Sequence, residues 1–469
     1  MSETGATERI YQDLLKHLLT LQAGDSLPSS RTLVAQHQAS PNTIQKVFSR
    51  LIQEGKAVSR AGKGLFKAEV APVVTPQQDY GWQSVLLGAS PGVQQDFQSL
   101  YTPPPTGLLS LGSGYLDSSL QPTQLLAEAM QKASRRPLVW DRVPPEGLPP
   151  LRNWFAGKLG VQASDILITA GAQSALSSIF SVLSHLPNTP VLVESPCHLG
   201  TLAILRSQGM KPIPIPMDAH GMRPDLLEQV LQHTPARLLA CQPTHQNPTG
   251  VCWTLERRQE ILRICKKHGV LIIEDGAAQD LSFQGAPPPH LVTLAPEQVI
   301  HVYSLTKPVA AGFRIAAIAA RGPIRQRLSA ALVVGDLFVT GVMQEAALEV
   351  VTSKRWPKHL QNLQNILQAR QQTLTTELKL RLPAWRIHHT PSGGFYLWVE
   401  LPEGMDDPSF SLQALQKQVQ VSAGQAWFPA EKEGAFLRLS FAGIEQVQIA
   451  QAVSGLVEAS QNVQANTAS

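Results

Sequence analysis

Cysteine is scarce in this sequence: four residues, Cys197, Cys241, Cys252 and Cys265, in a chain of 469. None falls into a CxxC or Cys/His ligand spacing, so neither a zinc site, nor any other metal site, nor a disulfide framework is expected. Long apolar runs are missing too. The longest, from Leu332 to Met343, is interrupted by Asp336 and is too short to span a bilayer. The N-terminus runs from polar residues into an amphipathic stretch, without the basic and apolar regions of a signal peptide. No membrane partner is expected, and a reducing cytoplasm fits these absences. Aromatic residues make up only 6% and charged residues 16%, against 43% hydrophobic, a balance that describes neither a disordered nor a fibrous chain. A formal net charge of +4 is too small to argue for a nucleic-acid partner by itself.

The distribution of that charge says more. From Arg31 to Lys67 the basic residues are Arg31, Lys46, Arg50, Lys56, Arg60, Lys63 and Lys67, against the single acid Glu54, a candidate footprint for a polyanion. The same segment carries order. Ile10, Leu14, Leu15, Leu18 and Leu19 fall at helical spacing and end at Gly24-Asp25 and Pro28. Ser29-Ser30 caps a second helix to about His37, and a third is predicted from about Pro41 to Glu54. Gly55, Gly62 and Gly64 space two short strands as a small hairpin would need. A first domain is therefore placed at 1–68.

Residues 69–107 turn rich in Pro, Gln, Gly and Ser and read as a linker. Beyond them, buried-strand runs at 166–169, 191–193, 238–241, 271–273 and 300–302 alternate with helical stretches, which predicts a mostly parallel sheet with helices on both faces. After about Arg355 a long amphipathic helix and shorter strands near 394–401 and 436–441 predict a smaller α+β part. The boundaries expected are 108–460 for the whole α/β unit, about 125–355 for its large part, about 356–460 for the small one, and a frayed tail at 461–469.

The segment IYQDLLKHLLTLQAGDSLPSSRTLVAQHQASPNTIQKVFSRLIQEGKAVSRAGKGLF resembles the GntR type of winged helix-turn-helix throughout its length. The resemblance implies a bacterial DNA-binding domain whose third helix enters the major groove of double-stranded DNA. Pro41, Asn42, Thr43, Gln45 and Lys46 would then face DNA, joined by Arg31 of the PSSR element and by Arg60 and Lys63 on the hairpin. These residue types offer donors to base edges and phosphates, and a helix N-terminus favours phosphate oxygens.

In the second unit, YSLTKPVAAGFRIA places Lys307 after a buried strand and Arg314 seven residues later. This resembles the pattern of fold type I pyridoxal 5'-phosphate (PLP) enzymes, in which a lysine shielded from water condenses with the cofactor aldehyde and an arginine binds its phosphate. By the same resemblance Lys307 is the catalytic lysine, and Ser304 and Thr306 add hydroxyls near the phosphate. Ala172 and Gln173 open a helix whose amides can hold that phosphate. Asp275, at the end of the strand 271–273, matches the carboxylate that keeps the pyridine nitrogen protonated. Asn247 of HQNPTG would donate to the cofactor's phenolic oxygen, and His198 stands where an aromatic ring usually stacks on the pyridine. Arg438 in FLRLSF matches the arginine that holds a substrate α-carboxylate, with Gly114 of LGSGYLD and the stretch SGGFYLW lining the substrate pocket.

Together the two halves resemble the MocR subgroup of GntR regulators, an aminotransferase-like domain fused to a DNA-binding one. That implies a homodimeric, PLP-dependent transcription regulator responding to PLP or a small amino compound. The enzyme-class alternative is a working aminotransferase carrying a DNA-binding domain. One departure bears on that choice: members of the family commonly carry a tyrosine where this chain has Ala277, which leaves transaminase turnover expected to be weak or absent.

Overall fold

The computed structural model of the chain describes residues 3–60, 63–68, 86, 105, 107–184, 187–430 and 434–467. The predicted linker at 69–107 falls almost entirely outside them. The chain divides into two compact units, Met1–Ala89 and Ser90–Ser469.

In the first unit three helices, α1 (Glu3–Thr20), α2 (Ser30–His37) and α3 (Pro41–Gln53), precede an antiparallel hairpin of β1 (Ala57–Arg60) and β2 (Gly64–Lys67). The two short helices start where serines cap them. The Ser29 hydroxyl accepts the Thr32 N–H and the Ser40 hydroxyl accepts the Thr43 N–H, with Pro41 in the first turn of α3, where a missing N–H costs nothing. Ile10, Tyr11, Leu14 and Leu18 of α1 close over Leu33, Ile44, Val47, Leu51 and Leu65. This is the winged helix-turn-helix expected.

The second unit is built on an eight-stranded sheet. Its strands are β4 (Ile166–Thr169), β5 (Pro190–Ser195), β6 (Lys211–Asp218), β7 (Gly221–Met222), β8 (Leu238–Cys241), β9 (Leu271–Gly276), β10 (Val299–Ser304) and β11 (Ala316–Ala319). In space they follow the order β4-β11-β10-β9-β8-β5-β6-β7. The run from β10 to β6 is parallel, but β11 is antiparallel to both β10 and β4, and β7 is antiparallel to β6. The expected mostly parallel sheet thus has antiparallel pairing toward both edges, with β11 on one side and β7 on the other. The segment joining β10 to β11 holds no crossover helix, only a short turn of helix at Ala311–Phe313, and a connection that short can return the chain only antiparallel. Separate apolar clusters cover the two faces, one around Phe155, Leu239 and Ile272, the other around Leu176, Val193 and Ile273.

The smaller α+β part has an antiparallel sheet of β12 (Arg386–Ile387), β13 (Tyr396–Glu400), β16 (Phe436–Ser440) and β15 (Ser422–Ala423). Beside it β14 (Val419–Gln420) pairs in parallel with β3 (Leu109–Ser110), and Leu109, Leu111, Leu116 and Leu120 share its core. The chain therefore contributes to this part before it builds the large sheet. The last helix spans Ile449–Thr467 and so runs into the segment expected as a frayed tail at 461–469. Ile449, Ala452, Val453, Leu456, Ala459 and Val463 keep a continuous stripe against the small core, and that stripe carries the helix on.

Removing the cap of α3 should loosen the first unit. Ser40→Ala is expected to cost it about 1 kcal/mol, seen as roughly fivefold faster amide exchange along Val47–Leu51 with exchange in the second unit unchanged.

Candidate functional site

A cavity of about 700 Å³ opens in the second unit where β8, β9 and β10 end, the edge at which parallel α/β sheets bind ligands. One end is made for an anion. Gly171, with φ +94°, turns the chain into the helix Ala172–Leu183, and the Arg314 guanidinium lies against it, donating to the Ala170 carbonyl at 3.2 Å. A Cβ on Gly171 would come within 2.4 Å of that guanidinium, so only glycine permits the approach. Ala172, Gln173, Ser304 and Thr306 line the same end. The Ser304 hydroxyl accepts the Thr306 N–H, while Thr306 Oγ1 is buried with no hydrogen-bond partner among the described residues. Helix N–H groups, a guanidinium and an unpartnered hydroxyl together fit a phosphate.

The middle of the cavity fits a heteroaromatic ring. Buried Asp275 points into it, accepting from Gln242 Nε2 at 2.5 Å and from the Ala277 N–H at 3.0 Å. Burial pushes its carboxyl above the usual range, against those two bonds, so a protonated ring nitrogen is the partner that would stabilise its charge. Asn247 receives its place from Gln242, whose Oε1 takes the Asn247 N–H at 2.9 Å. Because Asn247 Oδ1 is taken by Arg438 at 3.2 Å, its amide nitrogen is the end left to donate. His198 opens the helix Leu199–Ser207, and burial, with the nearby Lys307 and Arg438 charges, lowers it to about 3. It is a neutral ring at physiological pH, suited to stacking.

Lys307 stands opposite. Its Nζ donates to the Gly114 carbonyl and, at 3.2 Å, to the Tyr396 hydroxyl. Arg438 is almost wholly buried, donating to the Gly112 carbonyl at 2.5 Å and lying 4.4 Å from the centres of the Tyr396 and Trp427 rings. The residues present therefore suit PLP at every end of the molecule: phosphate, ring nitrogen, ring face and aldehyde. Lys307, Asp275, Asn247, Arg314, Ala172, Gln173, His198, Ser304 and Thr306 line this cavity, whereas Gly114 and Arg438 line a smaller pocket that shares His198, Asn247, Lys307 and Tyr396 with it.

Sequence reasoning missed Gln242, which orders both Asp275 and Asn247, and Glu194, whose Oε2 accepts the Gln242 N–H at 3.0 Å. Gln242 immediately follows a predicted buried strand, a position that could have singled it out. Tyr115 and Tyr396 lie in stretches noted for pocket lining, but nothing in the sequence separates them from their neighbours.

On the first unit, Arg31, Pro41, Asn42, Gln45, Lys46, Arg60 and Lys63 are exposed. Thr43 is not. It is 4% exposed, and its hydroxyl lies 2.9 Å from the Ser40 hydroxyl, so the expectation that it faces DNA is corrected: capping and core packing claim the side chain. The basic run also divides. Arg50 and Lys56 are bound to Glu54, and Lys67 Nζ donates to the Leu18 and Leu21 carbonyls, while Arg31, Lys46, Arg60 and Lys63 are exposed.

Comparison with known proteins matches both halves. Residues 106–456 match the family described as aminotransferase class I and II, and residues 6–66 the bacterial regulatory proteins of the gntR family. An uncharacterized HTH-type transcriptional regulator of Bacillus subtilis, YdfD, is 28% identical, with 89% of this chain and 88% of the relative covered. The vitamin B6 salvage pathway transcriptional repressor PtsJ of Salmonella typhimurium is 26% identical over 88% of this chain and 89% of its own. A 2-aminoadipate transaminase of Thermus thermophilus is 30% identical over 75% and 89%. Among solved structures, the α-aminoadipate aminotransferase LysN of Thermus thermophilus, complexed with N-(5'-phosphopyridoxyl)-L-leucine, superposes with a TM-score of 0.76 at 28% identity, covering 82% of this chain and 99% of its own.

Glu194 makes the site's stability depend on pH. Burial raises its carboxyl to about 8, above the unfolded value of about 4.3. A raised acid favours the folded state fully below the unfolded value and loses that contribution as pH climbs toward the folded one. Between about pH 4.3 and pH 8 the melting temperature of Glu194→Gln should therefore rise relative to that of the wild type, because the variant lacks this loss. An equal slope in both proteins would contradict this.

Proposed function

The chain belongs to the aminotransferase class I and II family and carries an N-terminal GntR-type helix-turn-helix domain, and from that footing we propose that it acts as a PLP-dependent transcription regulator of the MocR type. The first unit reads double-stranded DNA; the second holds PLP and answers to PLP itself or to a small amino compound. The observation that carries the reading is the union, in one chain, of outward cations on a winged helix with a cavity in which Lys307, Asp275 and Arg314 converge.

PLP supplies an aldehyde that condenses with amines and a protonated ring that withdraws electrons. The chain's own residues have divided tasks. Arg314, the N–H groups at Ala172 and Gln173, and the hydroxyls of Ser304 and Thr306 bind the phosphate. Asp275 holds a proton at the pyridine nitrogen, and Gln242 keeps the carboxylate aimed. Asn247 donates to the phenolic oxygen, His198 covers the ring face, and Lys307 is the attachment point. Arg438 faces the effector's carboxylate. An effector amine taking the place of Lys307 on PLP would release the lysine amine to the Gly114 carbonyl and Tyr396 hydroxyl that hold it when free, which would give binding a differential effect on the two parts of the second unit.

Leu138, Trp140, Val334 and Leu337 leave apolar side chains 64% to 88% exposed. Such exposure supports a homodimer, which would present two winged helices to paired DNA sites. No helix among the described residues is long and apolar enough to cross a membrane, and the cytoplasm is the proposed location.

A second reading has a specific observation in its favour. Lys307, Asp275, Asn247, Arg314 and Arg438 all surround one cavity system, as transaminase chemistry would require. Ala277 lines that cavity with a methyl group and contributes only its backbone N–H, to Asp275, so the phenol that would tune the ring is missing.

Two experiments test these readings. Binding of the dimer to a duplex from the protein's own upstream region should weaken about 10,000-fold between roughly 50 and 200 mM salt, as about eight phosphate contacts from two winged helices imply. Replacing Arg31 and Lys46 with Ala should lower the slope of log affinity against log salt by about four, and PLP should change affinity or footprint. Undiminished binding without residues 1–68 would refute the DNA assignment. With a panel of amino donors and a keto acid, turnover should stay below the usual enzyme scale of about 1 to 1,000 per second, and Ala277→Tyr should raise it. Wild-type turnover within that range would favour the enzyme instead.

A further inference from the structure

Lys307 leaves the β10–β11 connection of the large sheet, yet its amine is held by the small part of the unit. Besides the Gly114 carbonyl and the Tyr396 hydroxyl, three rings surround the nitrogen, with centres at 5.0 Å for Tyr115, 5.4 Å for Phe395 and 5.9 Å for Tyr396. A carbonyl oxygen only accepts, and ring faces attract cations, so this surrounding suits a protonated nitrogen. Condensation with an aldehyde needs the opposite, a free electron pair on Nζ. The proton must leave for a group within hydrogen-bond reach.

Tyr396 is the group so placed. Asp275 is occupied by Gln242 and the Ala277 N–H, and neutral His198 makes its recorded polar contact with Thr201. We propose that the Tyr396 phenolate oxygen is the base that takes a proton from Lys307 and so frees its amine for condensation with PLP. The inference rests on the reading of Lys307 as the attachment residue.

In the step, an Nζ–H bond breaks, its electron pair stays on nitrogen, and the proton forms an O–H bond on Tyr396. PLP, when bound, would supply the aldehyde with which the freed amine condenses, the two hydrogens left on Nζ leaving with the aldehyde oxygen as water. The groups facing Tyr396 support this. They are Lys307 from the β10–β11 connection, Arg438 from β16, Gly114 and Tyr115 from the segment after β3, and neutral His198. Burial opposes ionisation of the phenol, but the charges of Lys307 and Arg438 outweigh it and hold Tyr396 below the ordinary tyrosine value. Tyr396 belongs to β13, so capture of the cofactor requires the small part to be seated against the large sheet.

The test follows PLP uptake by the full-length apoprotein, by absorbance across a pH series. Tyr396→Phe keeps the ring and should retain the circular dichroism spectrum, but uptake near neutral pH should slow by about 10- to 100-fold, with the rise in rate moved to higher pH. Independently, ultraviolet titration of the wild-type apoprotein should show one tyrosine ionising below the others, and Lys307→Ala should move it up. An unaltered uptake profile in Tyr396→Phe, or no such tyrosine, overturns the proposal. Borohydride reduction followed by peptide mass spectrometry separates the two failures. An adduct on another lysine defeats the reading of Lys307, whereas an adduct on Lys307 with an unaltered profile defeats only the role of Tyr396.

Discussion

The second unit depends on holding one amine, that of part-buried Lys307, where two cores meet. A carbonyl, a phenol and three ring faces surround it. Each partner makes a demand on the fold. The Gly114 carbonyl requires the early segment from β3 to join the small sheet, which it does by pairing with β14. Tyr396 requires β13 to begin beside the lysine. The lysine itself requires a short connection between β10 and β11, and that connection brings Arg314 back, at φ +44°, to the mouth of the helix beginning at Ala172.

Alternation along β9 gives two adjacent carboxylates opposite environments. Glu274 accepts the N–H groups of Leu291 and Val292 and sits 2.8 Å from His301 Nδ1. Burial opposes its ionisation, but the His301 partnership leads the effects that hold it near 2. Asp275, one residue on, faces the cavity with two N–H donors and, among the described residues, no cation bonded to it, and burial pushes it up. The first is a structural anchor for the short helix at 291–294, while the second waits for a cation. Gln242 links this carboxylate to Asn247, so the groups addressing the ring nitrogen and the phenolic oxygen are set by one side chain.

The first unit shows a similar division among its cations. Glu54 draws Arg50, Lys56 and the Tyr11 hydroxyl into one cluster, and Lys67 closes the end of α1 by binding its last carbonyls. The cations engaged in this way bind the wing and α3 to α1, while Arg31, Lys46, Arg60 and Lys63 are exposed. A count of basic residues overstates the electrostatic footprint because folding consumes part of it.

Local signals made much of this legible in the sequence. Helices α2 and α3 were readable because their serine caps and apolar spacing act within a few residues, and the buried strands because continuous apolar runs have few other uses in an α/β chain. Lys307, Asp275, Asn247 and Arg314 stood out because each sits beside a strand end or a tight turn of recognisable composition. What escaped were relations between distant segments. The antiparallel seating of β11, the loss of Thr43 to the core, the claim of Glu54 on Arg50 and Lys56, and the meeting of Tyr396 with Lys307 depend on partners remote in the chain. Short-range propensities and periodicity thus determined which elements form and which residues stand at their ends. Only packing, by bringing far-separated side chains within hydrogen-bond distance in a low-dielectric interior, decided which charges remain available and which phenol faces the lysine.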